Sequence, residues 1–214
     1  MGIGERRQRD REVMRMKILD AARALFAEHG YEAVTMRKVA EKIEYSPTAI
    51  YRHFKDKETL VRELCSNDFV TLAQEFQRIA RVRDPIERLR RVGQAYLNFG
   101  LAFPNHYRLM FMTYNPYADP EKMDLKQGNP EVDAYAFLKA SISDALRAGR
   151  LRPEYKDVEL LAQTLWAGAH GVVSLHIAKC NDAWVPWRPV EQRAELMLDA
   201  LVRGLCIDNP SAGR

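Results

Sequence analysis

Apolar residues along the 214-residue chain recur at intervals of three and four, which places them on one face of an α-helix. No stretch alternates apolar and polar residues for long enough to predict a β-strand. The first predicted helix covers residues 9–29, and Gly30 is expected to end it. The pattern therefore predicts an all-α protein. The core face of the first helix would consist of Ile18, Ala22, Leu25 and Phe26.

Three more helices are predicted before residue 82, and each has a capping residue at its start. Thr35 precedes a short helix, and Ser46 followed by Pro47 opens a second short helix. Asp56 is expected to cap a longer helix that ends near Arg81. The apolar face of the first short helix would carry Met36, Val39, Ala40 and Ile43.

The rest of the chain repeats the same signals over a longer distance. Predicted helices begin at Asp84-Pro85, continue in a shorter helix after Pro104, and begin again at Asn129-Pro130 and Asp157. The last runs from Pro189 to Cys206. Residues 115–129 are polar and long for a connection within a domain, which predicts a mobile loop. Tyr107, Met110, Phe111 and Tyr114 share a face of the shorter helix.

Composition narrows the class of protein. Hydrophobic residues make up 47% of the chain, enough for a sizeable core, and the net charge is +4. Residues 1–60 carry 13 Lys and Arg against 10 Asp and Glu, so the N-terminal region is mildly basic. The three cysteines show no metal-ligand spacing, and no signal peptide precedes the first helix. We therefore expect a cytoplasmic protein without metal or cofactor.

Two further classes are disfavoured by the sequence. Leu160 to Ala178 lacks charged residues over 19 positions, but its polar side chains favour a buried helix over a membrane span. No nucleophile elbow, zinc-protease motif or phosphate-binding loop is present, so an enzyme is not expected.

The segment SPTAIYRHF, residues 46–54, combines a packing face with a polar face. Projected on a helix, Ala49, Ile50 and Phe54 point to one side. The other side carries Pro47, Thr48, Tyr51 and Arg52. Free backbone N–H groups at the start of this helix, beside Ser46, would suit a phosphate. Two short helices joined by a tight turn describe a helix-turn-helix, and the second helix would read DNA.

The stretch TMRKVAEKIEYSPTAIYRHFKDKETL, with the helix before it, resembles the N-terminal domain of TetR-family transcriptional regulators over roughly residues 15–62. TLWAGAHG, residues 164–171, is similar to a Trp-His-Gly signature in the ligand-binding domain of one branch of that family. The family usually has Gly in the turn where this chain has Glu44. A left-handed backbone at Glu44 would be strained, and its carboxylate would lie near DNA.

The resemblance implies a role for each matching residue. Thr35 and Arg37 would contact the DNA backbone and bases, and Thr48 and Arg52 would face the major groove. Residues expected to hold phosphates are Tyr51, His53 and Lys57. Alternatives remain open: His53 could bond a core carbonyl, and Arg52 could be an ordinary surface residue. The basic tail of Arg6, Arg7, Arg9 and Arg11 would be a minor-groove arm or a solubilising tail.

The C-terminal two-thirds are rich in aromatic residues, which together suggest an apolar cavity with polar handles. Gly168 and Gly171 cost helix stability, so either close packing or room for a ligand should offset them. His170, between them, would bond a ligand or be a satisfied core residue. The candidate effector-binding residues are Tyr96, Phe99, Phe103, Tyr107, Phe111, Tyr114, Trp166 and His170.

The last two helices are expected to form a dimer seam, because the apolar stripe of the last helix is wide. We thus predict a helix-turn-helix domain at residues 1–60 and a helical ligand-binding and dimerisation domain at residues 61–214. The protein would be a homodimeric repressor that binds a palindromic double-stranded DNA operator and is released by a small hydrophobic or aromatic effector. Alternatives are a ligand-independent architectural DNA-binding dimer and, without the helix-turn-helix, an enzyme or carrier. The stripe consists of Ala194, Met197, Leu198, Leu201, Val202 and Leu205.

Overall fold

The computed structural model describes residues 3–112 and 128–207, and this part of the chain is helical with no β-strand. An isolated bridge joins Leu151 to Cys206. The all-α prediction is confirmed. The first five helices are α1 (Ile3–Ala33), α2 (Met36–Lys42), α3 (Pro47–Tyr51), α4 (Lys57–Ile79) and α5 (Pro85–Ala102). The others are α6 (Pro104–Tyr107), a π-helical turn (Arg108–Met112), α7 (Ala134–Arg147), α8 (Val158–Lys179) and α9 (Val190–Leu205).

Most predicted helix starts are confirmed by their caps. The Asp84 carboxylate accepts hydrogen bonds from the backbone N–H groups at the start of α5, and Asp157 does the same for α8. These bonds satisfy donors that have no partner inside a helix. Gly30 also behaves as expected, because its φ of 75° and ψ of 171° break the helical path before Ala33.

Two helix starts differ from the prediction. Helix α1 begins at Ile3, well before Arg9. Helix α7 begins at Ala134 rather than at Asn129-Pro130, because Asp133 is the residue that caps it. The residues before Asp133 form turns instead. The predicted loop at residues 115–129 lies almost entirely outside the described residues.

The chain divides into two compact units, Met1–Asp68 with Pro104–Asp124 and Phe69–Phe103 with Leu125–Arg214. Helix α6 and the π-helical turn thus cluster with the N-terminal helices. The predicted domain division at residue 60 stays a prediction. In the first unit the predicted stripe of α1 is buried, as are Val39, Ile50 and Phe54 in the short helices and just after them. The apolar residues that the sequence pattern predicts to be buried in α1 to α3 therefore form the core there.

The second unit is built on α5, α7, α8 and α9. Its core includes Leu89 from α5, Ile142 from α7, Leu165 from α8 and Val202 from α9, all nearly inaccessible to solvent. The extended segment at Leu151 closes one end of this unit against the residues that follow α9.

Helix α8 is only half buried, which corrects the prediction of a buried helix. Leu161, Leu165 and Val173 face the core, but Leu160 and Leu175 are at least half exposed. The neighbouring helices of the unit cover one side of α8 and leave the other open. Among the described residues no helix is long and apolar enough to cross a bilayer.

Candidate nucleic-acid interface

Helices α2 and α3 are each started by a side-chain cap at an exposed position. Thr35 Oγ1 accepts from Lys38 N at 3.2 Å, and Ser46 Oγ accepts from Ala49 N at 3.3 Å. Pro47 occupies the first turn of α3, where its missing N–H costs nothing. Both caps fall where the sequence predicts them.

The polar side of α3 is presented to solvent. Tyr51 is 53% exposed, and Thr48 and Arg52 are also exposed, while Ile50 has no accessible surface. Within the described residues, the side chains of Thr48, Tyr51 and Arg52 form no hydrogen bond. A hydroxyl, a phenol and a guanidinium on one exposed face can bind phosphates and base edges.

The turn between α2 and α3 requires a left-handed backbone at Glu44. Its φ is 61°, a conformation that non-glycine residues seldom adopt. Glu44 N–H bonds to Glu41 O at 3.1 Å and Tyr45 N–H bonds to Ala40 O at 3.0 Å. This is the Schellman pattern, in which glycine is usual at the position that Glu44 occupies. The predicted left-handed conformation is present.

Thr35 and Arg37 stand together at the start of α2. Arg37 is exposed and its Nε donates to Glu41 Oε1 at 2.9 Å, an i, i+4 pair on the helix surface. Such exposed pairs contribute at most about 1 kcal/mol, so the guanidinium can exchange this partner for a phosphate.

Helices α1 and α4 hold the residues that directly follow α3. Arg15 of α1 donates from Nη1 to the His53 carbonyl oxygen at 2.9 Å, pairs with Glu63 of α4, and lies over the Phe54 ring. One guanidinium thus joins three segments, a role that was not predicted from the sequence. One sequence signal could have indicated this role: Arg15 lies three residues before Ile18, and therefore on the core face of α1.

Lys57 and His53 are less exposed than the other predicted contacts. Lys57 Nζ donates to Tyr31 O at 2.6 Å and lies 3.9 Å from the centroid of the Tyr31 ring, and burial lowers the pKa of Lys57. His53 Nδ1 is buried and has no hydrogen-bond partner among the described residues. Burial, with Arg11 and Arg15 nearby, lowers the pKa of His53. In the described part of the chain, Nδ1 of His53 therefore does not bond a core carbonyl.

The predicted effector-binding residues fall in both units. Tyr107 and Phe111 belong to the first unit, where their ring centroids lie 4.8 Å apart. The remaining described ones belong to the second unit, and Tyr114 lies outside the described residues. The sequence pattern did not reveal this division, because residues 104–112 follow α5 directly in the chain. The members in the second unit are Tyr96, Phe99, Phe103, Trp166 and His170.

In the second unit, Trp166 is the centre of an aromatic cluster. Its Nε1–H donates to the Tyr96 hydroxyl at 2.8 Å, and its ring centroid lies 5.8 Å from that of Tyr135. Trp166 is 39% exposed and Phe103, which packs against Phe99, is 49% exposed. Phe103 lies just past the end of α5 in a non-helical conformation, so it does not share the burial of Tyr96 and Phe99.

His170 lies one turn after Trp166 in α8. It is partly buried, and this burial lowers the pKa of its imidazole, which favours the neutral form. Among the described residues no group of three or more His, Cys, Asp or Glu could hold a metal ion.

The two glycines of α8 have different surroundings. A Cβ placed at Gly168 would clash with Leu201 Cδ1 and lie 3.0 Å from Met197 Sδ, both on α9. A Cβ at Gly171 would meet nothing within 4 Å. Gly168 therefore serves close packing between α8 and α9, and the idea that it leaves room for a ligand is wrong.

The apolar stripe of α9 faces the interior of its own unit. Ala194, Leu198 and Val202 are buried, and Leu201 packs against α8. The width of this stripe is therefore no sign of a dimer seam. The residues of α8 that point away from the core are exposed and uncharged: Leu160, Thr164, Ala167, Leu175 and Ala178.

Together the capped α2 and α3, the left-handed turn and the exposed polar face define a helix-turn-helix protein. Comparison with family models agrees: residues 18–64 match the model described as bacterial regulatory proteins, tetR family, and residues 89–201 match the tetracyclin repressor-like C-terminal domain. The chain belongs to the TetR family of bacterial regulatory proteins.

Curated relatives match only around the helix-turn-helix. The transcriptional repressor AcnR of Corynebacterium diphtheriae is 45% identical over 60 residues, 28% of this chain and 32% of the relative. The transcriptional regulator UidR of Escherichia coli is 35% identical over 80 residues, 37% of this chain and 38% of the relative. The chain thus matches about a third of the length of these relatives.

Solved structures resemble nearly the whole chain. SmeT, the repressor of the Stenotrophomonas maltophilia multidrug efflux pump SmeDEF, has a TM-score of 0.69 at 22% identity, over 91% of both chains. The fatty acid degradation regulator FadR of Bacillus halodurans has a TM-score of 0.68 at 17% identity, over 88% of this chain and 94% of that one. These identities support a common fold alone.

Proposed function

We propose that this protein is a transcriptional repressor that binds a palindromic DNA operator as a homodimer and acts in the cytoplasm. The observation that carries the proposal is the exposed face of α3, on which Thr48, Tyr51 and Arg52 form no hydrogen bond within the described chain. A TetR-family fold and a similar helix-turn-helix in the repressor AcnR support it.

The residues divide by the DNA group that each would contact. Thr48 and Arg52 would reach base edges in the major groove, since they lie at the centre of the exposed face. Thr35, Arg37, Tyr51, His53 and Lys57 would hold phosphates. The N-terminus of α3 at Ser46 and Pro47 would contribute backbone donors. Lys57 can do so while bound to Tyr31, because an ammonium has three donors.

The test is DNA binding by variants of α3 at controlled salt. Tyr51→Phe removes only the phenol hydroxyl and should weaken binding to every duplex about equally. Arg52→Ala should weaken binding to an operator selected from a random pool by roughly 1–3 kcal/mol and relax its sequence preference. Unchanged operator binding in both variants would contradict the assignment of α3. Tyr155→Phe, in the second unit, is the matched control.

Dimerisation would use the open side of α8 together with the exposed Leu196 of α9. Leu160, Thr164, Ala167, Leu175 and Ala178 recur along α8 at three, four and eight residues, which forms one continuous uncharged face. A second copy of this chain could bury that face, since both copies present it. Two recognition helices about 34 Å apart would then read the two halves of a palindrome.

An effector would bind in the second unit beside Trp166 and release the DNA. The partly exposed rings of Trp166 and Phe103, with the neutral His170, favour a small hydrophobic or aromatic molecule. Release needs only a difference in effector affinity between DNA-competent and incompetent states, typically about 1–3 kcal/mol. The fold is shared with the efflux-pump repressor SmeT and the fatty acid regulator FadR.

Tryptophan fluorescence tests this site. A hydrophobic compound that releases DNA should quench the wild type and a Trp184→Phe variant, since Trp184 is 81% exposed in the α8–α9 connection. Trp166→Phe should lose the quench and bind the compound more weakly, because the Tyr96 hydroxyl loses its donor. An equal quench in Trp166→Phe would place the effector elsewhere.

One observation favours the second candidate, an architectural DNA-binding dimer without an effector. Trp166 and Tyr96 already bond each other, and a surface groove of the second unit is lined by other residues, including Arg90 and Arg203. Operator complexes that no compound in a broad hydrophobic library dissociates would support this alternative.

A further inference from the structure

The N-terminal part of α1 extends beyond the core as a solvent-exposed helical arm, residues 4–13. Every residue of this arm is exposed, and the first buried residue of α1 is Ile18. An isolated helix of this length is marginal in water, so its stability comes from continuity with the supported part of α1. The arm carries four arginines: Arg6, Arg7, Arg9 and Arg11.

Those arginines divide between two sides of the helix. Arg7 and Arg11 fall on one face with Arg15, at intervals of four, and Ile18 continues that face into the core. Arg6 and Arg9 lie on the opposite side. The acidic residues of the arm, Glu5, Asp10 and Glu12, also lie away from the face of Arg7, Arg11 and Arg15.

Contacts of Arg15 fix the direction of this face. Its guanidinium reaches the carbonyl of His53, just after α3, and pairs with Glu63. Arg11 is close enough to help lower the pKa of His53. The basic face therefore begins beside the C-terminal end of α3 and continues along the arm.

Arg15 is occupied by its partners, but the next two arginines of the face are not. Among the described residues, neither Arg7 nor Arg11 forms an ion pair or a side-chain hydrogen bond. Four residues of helix advance about 6 Å, so the two guanidiniums can reach separate acceptors along one line. Guanidinium groups bind phosphate oxygens in a bidentate manner.

We propose that Arg7 and Arg11 bind the sugar–phosphate backbone of the DNA duplex beside the groove that α3 enters. The arm would then be a second contact surface, and Arg6 and Arg9 would remain in solvent. This inference rests on the proposed DNA binding and adds to it a face-specific contact outside the helix-turn-helix.

Two double variants with equal charge change test the proposal. Arg7→Ala/Arg11→Ala and Arg6→Ala/Arg9→Ala each remove two positive charges from the same arm. Binding to an operator selected in vitro and to a pool of random duplexes is measured by fluorescence anisotropy over a salt series. Circular dichroism checks that helicity is retained.

The first pair should weaken binding to both DNA probes and reduce the salt slope by about 0.9 for each phosphate that the protein no longer neutralises. Arg7→Lys/Arg11→Lys should restore most of the slope, because the charges return. The second pair should leave the slope nearly unchanged. Equal effects of the two alanine pairs would overturn the proposal in favour of general attraction, and so would an unchanged slope in both. Wild-type protein that binds no duplex would instead overturn the proposed function.

Discussion

The polar face of α3 in the first unit and the candidate effector site in the second differ in what their polar side chains are bonded to. On α3 of the first unit, Tyr51 and Arg52 project into solvent without a partner in the described chain. In the second unit, Trp166 donates to Tyr96 and Arg88 pairs with Asp144. The exposed polar groups of α3 can bond an incoming partner without first breaking a contact inside the protein. Groups that satisfy one another are equally consistent with a core, so they identify no ligand on their own.

The largest expected effect concerns assembly. Leu175→Glu would place a charge in the proposed dimer face of α8, where Leu175 is 50% exposed. We expect monomers and operator binding near the nonspecific level, roughly a thousandfold weaker. Light scattering and a binding titration measure the two effects. Val13→Glu, at an exposed apolar residue of the first unit, should remain dimeric. Monomeric wild-type protein would contradict the α8 interface.

The next effect distinguishes the two glycines of α8. Gly168→Ala would force Leu201 and Met197 aside, which typically costs about 1–3 kcal/mol, whereas Gly171→Ala meets open space and should gain roughly 1 kcal/mol of helix propensity. Chemical denaturation should therefore rank Gly171→Ala above the wild type and Gly168→Ala below Gly171→Ala. Equal stabilities of the two variants would mean that α8 and α9 are not closely packed at Gly168.

A smaller gain is expected in the turn of the first unit. Glu44→Gly should stabilise the protein by about 1 kcal/mol, because glycine adopts the positive φ of this position without strain. Glu44→Ala separates the causes, since it removes the charge and keeps the strain. Both variants should bind DNA more tightly if the carboxylate lies near phosphates. Thermal unfolding that shows no advantage of glycine over alanine would argue against backbone strain.

The smallest effect concerns pH and links a histidine from each unit. Burial lowers the pKa values of His53 and His170 in the folded protein. Below the unfolded pKa of about 6.5, the unfolded chain then binds more protons, so the free energy of unfolding should fall as pH decreases from there. It should be insensitive to these groups above that pH. His53→Gln and His170→Gln should each flatten the decrease.

Local signals predicted most of the fold. The caps at Thr35, Ser46, Asp84 and Asp157 lie where the sequence indicated, because each depends on a side chain reaching N–H groups two or three residues away. Asn129-Pro130 failed as a helix start, because Asp133 supplies a cap closer to the apolar run of α7. Two competing local signals cannot be ranked without the packing of the helix that follows.

Candidate site residues were predictable to different degrees. The outward positions on α3 follow from helical periodicity and the buried Ile50, so Thr48, Tyr51 and Arg52 are exposed as expected. The hydrogen bond from Lys57 Nζ to Tyr31 O could not be predicted, because 26 residues separate the two in the chain. The division of the aromatic residues between two units likewise depends on how the chain returns to α1 after Phe103.

The sequence by itself determined the helices, the caps and the two faces of α3, since these depend on groups within one or two helical turns. It also indicated a strained turn at Glu44, where the backbone path leaves few alternatives. Tertiary structure decided the rest: that the space beside Gly168 is filled by α9, and that Arg15 directs a basic arm toward α3. Such contacts join residues far apart in the chain, and their energies depend on distances that no local pattern encodes.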